Sequence, residues 1–126
     1  MVAEYENQFD IVIPIPLGKN RLKERGYNQA NLLARPIAQK LNRPLTSHAL
    51  IRFRETGSQV GLNVMERKNN VRNAFQGEPS LVEGKKILLI DDVATTGATL
   101  SESANALKLA GAEFVIAITL ARAVLS

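Results

Sequence analysis

The fold is decided by residues 87–99, which read ILLIDDVATTGAT. The apolar run Ile87–Ile90 is typical of a central strand in a parallel sheet, because both faces of such a strand are covered. Asp91 and Asp92 follow directly, at the end of the strand where open α/β sheets bind their ligands. A short loop rich in hydroxyl groups then leads into a helical pattern. The stretch therefore predicts a strand, a ligand-binding loop and a helix in direct succession.

The loop between this strand and the helix has the chemistry of an anion site. Its threonine hydroxyls and backbone N–H groups are donors, and Gly97 allows the backbone to approach a ligand closely. We predict a helix from Leu100, with Thr99 as N-cap and Glu102 completing a capping box, whose positive dipole end faces the same place. Thr99 would then be a structural cap, or a cap that also contacts phosphate. The predicted phosphate cradle comprises Ala94, Thr95, Thr96, Gly97, Ala98 and Thr99.

The adjacent carboxylates indicate that the ligand carries more than phosphate. Asp91 and Asp92 can accept hydrogen bonds from a ribose diol, and Mg²⁺ is commonly shared between carboxylates, waters and phosphates. A strand that ends in two aspartates also occurs in P-loop nucleotidases, but this chain has no P-loop sequence. A receiver-domain pocket would not require the threonine-rich loop. A purely structural strand–turn–helix stays open as the alternative.

The remaining chain alternates between patterns typical of strands and of helices. The expected elements are, in order, a strand over 10–16, a helix over 28–41, a strand over 45–51, a long mobile loop over 52–72, a strand starting at 73–75, a turn at 77–80, the strand 86–90, a helix over 100–110 that Gly111 ends, and a buried strand over 113–120. Pro36 predicts a kink in the first helix or a late start. The order predicts one α/β domain, residues 1–126, with a mostly parallel central sheet flanked by helices.

Composition excludes several classes of protein. The chain of 126 residues has no cysteine, which rules out a disulfide framework, a thiol nucleophile and a zinc ribbon within it. One histidine, His48, cannot build a His-rich metal site. No apolar run approaches the length of a membrane span, and residues 1–6 lack the apolar core of a signal peptide. We therefore expect a soluble, cytoplasmic protein with no membrane partner.

Charge is distributed unevenly along the chain. Between Lys19 and Arg72 there are 12 Lys and Arg against 3 Asp and Glu, a net charge of +9, and the rest of the chain carries −5. Such a basic stretch favours a polyanionic partner, either nucleic acid or a small phosphorylated ligand. A solvated basic surface is the alternative.

Residues 87–99 closely resemble the phosphoribosyl pyrophosphate (PRPP) signature of type I phosphoribosyltransferases. Other motifs resemble the ComF family of competence-related phosphoribosyltransferase homologues. These motifs are Ile13–Leu17, Arg21–Ala30, Arg54, Thr56, Gln59, Arg67, Asn70, Asn73–Phe75 and Ala121–Arg122. Full-length ComF-like proteins often have a Cys-rich, zinc-binding N-terminal segment. This chain has no cysteine, so we expect either the C-terminal part of such a protein or a form without the segment.

The resemblance implies a role for each part of the site. Asp91 and Asp92 are the expected catalytic residues, which bind the ribose hydroxyls, and the loop 94–99 binds the 5-phosphate. Pyrophosphate is assigned to the basic loop after the first strand, namely Leu17, Gly18, Lys19, Asn20, Arg21 and Arg25. A flexible loop that covers the ligand is assigned to Arg52, Arg54, Gln59 and Arg67. Mg²⁺ is expected to bind mainly through PRPP and water, without a metal site made of protein side chains.

The activity implied by the resemblance is a pentosyl transfer. A glycosyltransferase of this type moves ribose 5-phosphate from PRPP to a nitrogen acceptor and releases pyrophosphate. The alternative is a non-catalytic module that senses PRPP or associates with single-stranded DNA during DNA uptake and transformation. The expected partners are PRPP, pyrophosphate, single-stranded DNA and a second copy of the chain.

Overall fold

The structure, a computed structural model, describes residues 8–17, 26, 28–52, 74–91 and 98–119. Its elements are β1 (Ile11–Pro14), α1 (Gln29–Leu41), a 3-10 turn (Ser47–Ala49), β2 (Leu50–Arg52), β3 (Phe75–Gly77), α2 (Pro79–Val82), β4 (Lys86–Asp91), α3 (Ala98–Leu109) and β5 (Phe114–Thr119). None of the helices in these ranges is long and apolar enough to cross a membrane.

A parallel sheet forms the centre of the fold, in the order β1–β4–β5. Leu88 of β4 lies opposite Val12 on one side and Ile116 on the other. Every residue of β4 after Lys86 is buried. The predicted central strand and the α/β class are therefore confirmed.

Two apolar layers cover the sheet, because successive side chains of a strand point to opposite faces. On one face, α1 packs Ala34, Ala38 and Leu41 against Val12 and Leu88. The other face is covered by α3 together with the antiparallel pair β2–β3. The strand β4 contributes to both clusters, which places it at the middle of the core.

The helix α1 continues through Pro36, so of the two predicted alternatives the late start is wrong, and the kink stays a prediction. Pro36 and Leu32 are both exposed, on the side opposite the buried Ala34 and Ala38. Proline has no N–H to donate to the carbonyl of Leu32, but that carbonyl lies on the side where water can reach it. The proline is therefore tolerated inside the helix.

Two short segments differ from their predicted form. Leu45 makes only an isolated parallel bridge to Val12, and the 3-10 turn separates it from β2. Polar residues such as Thr46 and Ser47 favour turns, because their side chains compete with strand hydrogen bonds. The predicted turn at 77–80 is the helix α2, in which Glu78 caps the amino end. Pro79 occupies the first helical position, which suits its fixed φ.

The strand β5 is not buried as predicted. Within the described residues it pairs with β4 alone, so it is an edge strand. Ile116 is 43% exposed, and Ala117 is exposed as well. An apolar run of this kind predicts a strand correctly but does not reveal whether the strand lies at the centre or the edge of its sheet.

Gly77 allows β3 to approach α3 closely. A Cβ atom at this position would lie 2.9 Å from the Cβ of Ala110 and 3.1 Å from the carbonyl oxygen of Ala106. We expect Gly77→Ala to lower the free energy of unfolding by about 1 to 3 kcal/mol, as overpacked substitutions do. Urea denaturation measures the effect. The control is Gln76→Ala, at the exposed neighbouring position, and equal stability of the two variants would contradict the close packing.

Candidate functional site

The carboxyl ends of β1 and β4 lie side by side. Pro14 is opposite Ile90, and the backbone N–H of Ile15 donates to the carbonyl of Ile90 at 2.9 Å. The segment that follows β1 therefore begins next to Asp91. This is the edge of a parallel sheet at which ligands bind.

Asp91 is the last residue of the central strand, as predicted. It lies opposite Thr119 of β5 and is only 8% exposed. A carboxylate costs free energy to bury unless it is hydrogen-bonded or paired. Its position fits the predicted contact with ligand hydroxyls, and that role stays a prediction.

The helix α3 begins at Ala98, before the predicted start at Leu100. Thr99 consequently lies in the first turn, half-buried, and the predicted N-cap and capping box with Glu102 are wrong. In the chain, α3 is the next element after β4, whose carboxyl end holds Asp91. Free backbone N–H groups of such a first turn are donors for an anion.

The side chain of Asn28 holds α1 to the carboxyl end of β1. Its Oδ1 accepts from the backbone N–H of Ala30 at 2.9 Å and from that of Asn31 at 3.4 Å. Its Nδ2 donates to the carbonyl of Ile15 at 3.1 Å. The amide thus joins the two ends of the intervening basic segment. Sequence analysis did not assign this residue, although an asparagine before a helical pattern is a known N-cap signal.

Arg52, which we assigned to the flexible loop, is the last residue of β2, directly before the rest of that segment. Its Nη1 donates to the carbonyl of Pro16 at 3.3 Å. Its guanidinium carbon lies 4.9 Å from the centre of the Phe75 ring. The structure therefore brings Arg52 to the start of the predicted pyrophosphate loop, beside Leu17.

Most of the predicted ligand-binding residues lie outside the described residues. These are Gly18, Lys19, Asn20, Arg21, Arg25, Arg54, Gln59, Arg67, Asp92, Ala94, Thr95, Thr96 and Gly97. The described part of the site comprises Leu17, Arg52, Asp91, Ala98 and Thr99, all near the ends of the elements that lead into these segments. Their roles in binding stay predictions.

A basic groove of about 490 Å³ lies at the opposite edge of the sheet. Its lining, in the described part of the chain, includes Arg35 and Arg43 and no carboxylate. Arg43 donates from Nε to the carbonyl of Phe9 at 2.8 Å, which places the groove beside the amino end of β1. It is therefore separate from the carboxyl edge that holds Asp91.

Metal ligands are sparse in the described ranges. No group of three or more His, Cys, Asp or Glu side chains there could hold a metal ion. Asp91 is the carboxylate that the described residues place at the carboxyl edge, and Mg²⁺ often binds through one or two carboxylates together with waters and ligand phosphates. The donor set fits a Mg²⁺ ion that arrives with its ligand.

We expect Asn28→Ala to lower the free energy of unfolding by about 1 to 2 kcal/mol, because it removes an N-cap and a side-chain hydrogen bond to Ile15. Asn28→Asp keeps the cap acceptor and removes the donor, so it should retain part of the stability. Thermal unfolding followed by circular dichroism measures both variants. If Asn28→Ala melted at the temperature of the parent, the anchoring role would be contradicted.

Comparisons with known proteins identify the family. The family model for the phosphoribosyl transferase domain matches residues 28–124. Competence protein F of Haemophilus influenzae is 38% identical over 116 residues, which cover 90% of this chain and 51% of that protein. DNA utilization protein YhgH of Escherichia coli is 39% identical over 106 residues, covering 84% and 46% of the two chains. Competence protein ComFC of Bacillus subtilis is 38% identical over 111 residues, covering 82% and 40%.

Solved structures show the same fold. One is described as the allosteric regulatory enzyme of purine biosynthesis, with a TM-score of 0.55 and 23% identity over 94% of this chain and 23% of that one. Another is glutamine PRPP amidotransferase from B. subtilis, with a TM-score of 0.56 and 22% identity over 92% of this chain and 24% of that one. The chain spans about half the length of the relatives that it matches in sequence. It belongs to the phosphoribosyl transferase domain family, with the type I fold, and its homologues include competence protein F and ComFC.

Proposed function

We propose that this domain binds PRPP at the carboxyl edge of its sheet and transfers the ribose 5-phosphate group to a nitrogen acceptor. The observation that carries the proposal is the position of Asp91, buried at the end of the central strand in a chain that belongs to the phosphoribosyl transferase family. The carboxyl end of β1 lies on one side of it, and the chain passes from it into α3. The basic sequence that follows β1 and the amino end of α3 suit an anionic ligand. The carboxylate suits the ribose hydroxyls of PRPP, which lie between its phosphate and its pyrophosphate group.

Each segment has a distinct task in the proposed reaction. Asp91 and Asp92 accept hydrogen bonds from the ribose hydroxyls and so orient the ring. The loop 94–97 and the first turn of α3 hold the 5-phosphate. The basic residues Lys19, Arg21 and Arg25 stabilise the negative charge that develops on pyrophosphate as its bond to the ribose breaks.

Mg²⁺ fits this site as an ion held mainly by PRPP and water, with Asp91 and Asp92 as the protein carboxylates available to it. When bound, it neutralises charge on the pyrophosphate group. The residues of the chain bind and orient the sugar, and the nitrogen acceptor attacks the ribose carbon from which pyrophosphate departs.

Two measurements test the proposal. Isothermal titration calorimetry with MgCl₂ present determines whether the protein binds PRPP, and we expect binding. A pyrophosphate-release assay with a panel of purine bases, pyrimidine bases and small amines then determines whether transfer occurs. Binding with release supports the transferase, binding without release supports a PRPP-sensing module, and the absence of PRPP binding would overturn both.

A second candidate function is association with single-stranded DNA. Two observations favour it: relatives are called competence and DNA utilization proteins, and the groove at the amino edge carries Arg35 and Arg43 without a lining carboxylate. Phosphate affinity follows positive charge and falls with salt. Fluorescence anisotropy with a labelled oligonucleotide at several salt concentrations measures the binding.

The location of DNA binding can be determined in the same experiment. If DNA occupies the groove, excess PRPP should leave DNA binding unchanged, and Arg35→Gln should weaken it. If DNA instead occupies the basic segment after β1, PRPP should compete and Arg35→Gln should have little effect. A salt-independent signal would contradict binding through phosphates.

A further inference from the structure

We propose that Arg52 is a positioning residue for pyrophosphate binding, because it fixes the carboxyl end of β1 to the pair β2–β3. The proposal rests on the proposed function, in which the segment after β1 binds the pyrophosphate group. Arg52 acts through the backbone at Pro16 and not by contact with the ligand.

Two of the contacts that Arg52 makes carry the proposal, a hydrogen bond and a ring contact. Its Nη1 donates to the carbonyl of Pro16 at 3.3 Å, across 36 residues of sequence. Its guanidinium carbon lies 4.9 Å from the centre of the Phe75 ring, and the two residues are also opposite each other in the β2–β3 ladder. A planar guanidinium can stack on a ring and donate from its edge at the same time, which an ammonium group cannot do equally well.

The contacts of Arg52 connect the hydrophobic core to the start of the predicted pyrophosphate segment. Phe75 is buried in the core cluster that also contains Ile13 and Ile15 of the β1 region. Pro16 follows that region and precedes Leu17, the first residue assigned to pyrophosphate. Arg52 therefore connects the buried Phe75 to the backbone at Pro16, directly before the predicted pyrophosphate segment.

The amino end of α1 is held to the same place by Asn28, whose Nδ2 donates to the carbonyl of Ile15. Two neighbouring carbonyls at the end of β1 are thus bound by side chains from two different elements. Backbone that is held before the ligand arrives loses less conformational freedom on binding. Removing one of these two side-chain hydrogen bonds should raise the conformational entropy cost of binding the pyrophosphate group and leave the binding of ribose 5-phosphate unaffected.

The experiment compares three ligands by calorimetry with MgCl₂ present: PRPP, inorganic pyrophosphate and ribose 5-phosphate. For Arg52→Met we expect the affinity for PRPP and for pyrophosphate to fall by about three- to tenfold, the size of effect typical of one lost hydrogen bond that acts through the backbone. The affinity for ribose 5-phosphate, which lacks the pyrophosphate group, should stay within about twofold of the parent. The matched control is Lys40→Met, at an exposed basic residue of α1 outside the groove, which should bind all three ligands like the parent.

Two further variants distinguish positioning from direct contact. Arg52→Lys keeps the charge but not the combined stack and edge contact, so we expect it to behave like Arg52→Met. Phe75→Tyr keeps the aromatic face and should retain the affinity of the parent. If Arg52→Lys bound pyrophosphate like the parent, charge alone would account for the effect and the positioning role would be wrong.

Hydrogen exchange gives a readout that needs no ligand. Peptides containing Ile15 and Leu17 should exchange faster in Arg52→Met than in the parent, whereas Lys40→Met should leave their exchange unchanged. Unchanged exchange in Arg52→Met would overturn the inference even if PRPP bound. If the parent bound no PRPP but Arg52→Met exchanged faster, the anchoring would hold and the proposed function would be the part that failed.

Discussion

Replacing Asp91 and Asp92 together by asparagine is expected to lower the affinity for PRPP by about ten- to a hundredfold, since charged hydrogen bonds to the ribose hydroxyls are lost. Asparagine has nearly the same size as aspartate, so the buried position of Asp91 should accept it sterically. The substitution also removes the negative charge that would balance Mg²⁺. Calorimetry with MgCl₂ measures the affinity, and thermal unfolding shows whether the variant is folded.

Single-stranded DNA provides the contrast for the same double variant. The exchange removes two negative charges, and phosphate binding is favoured by net positive charge. DNA affinity should therefore be unchanged or higher in the variant, measured by anisotropy at fixed salt. A folded double variant that binds PRPP as tightly as the parent would show that the acidic pair does not contact this ligand and would remove the main support for the proposed function.

The second large effect is expected on stability, at Leu89. This residue is fully buried in β4, opposite Ile13 and Ala117 of the neighbouring strands. It belongs to the same core cluster as Leu107 of α3. Leu89→Ala should lower the free energy of unfolding by about 2 to 5 kcal/mol, because it removes apolar contacts and leaves a cavity between sheet and helix.

The chain offers a matched control for Leu89→Ala. Leu109, the last residue of α3, is 81% exposed. Leu109→Ala removes the same atoms from the surface and should change the stability by less than about 0.5 kcal/mol. Urea denaturation at one temperature compares the two variants with the parent. Similar losses at both positions would contradict the central placement of β4.

The sequence alone was sufficient for the central strand, for the helices on either side and for the position of Asp91. The reason is that these features depend on local patterns. The apolar run of β4 has the composition that two covered faces require, and the following carboxylate ends it. The buried alanines of α1 recur every four residues, which is the helical period.

The contacts that surround the site required the tertiary structure. Arg52 lies in a polar, arginine-containing stretch, and nothing local indicates that it reaches Pro16 across 36 residues or stacks on Phe75. Asn28 gave an N-cap signal, but its second bond, to the carbonyl of Ile15, depends on how α1 returns over the sheet.

The strands β4 and β5 show the same division between local pattern and tertiary arrangement. Both are apolar runs, and both were predicted as buried strands. Of the two, β4 is buried along its length and has a neighbouring strand on each side, whereas β5 has one neighbour within the described residues and exposes Ile116. Residue type determines whether a segment can form a strand. Its burial is decided by which segments pack on its two faces and pair with its two edges, and that depends on chain topology, which no local pattern contains.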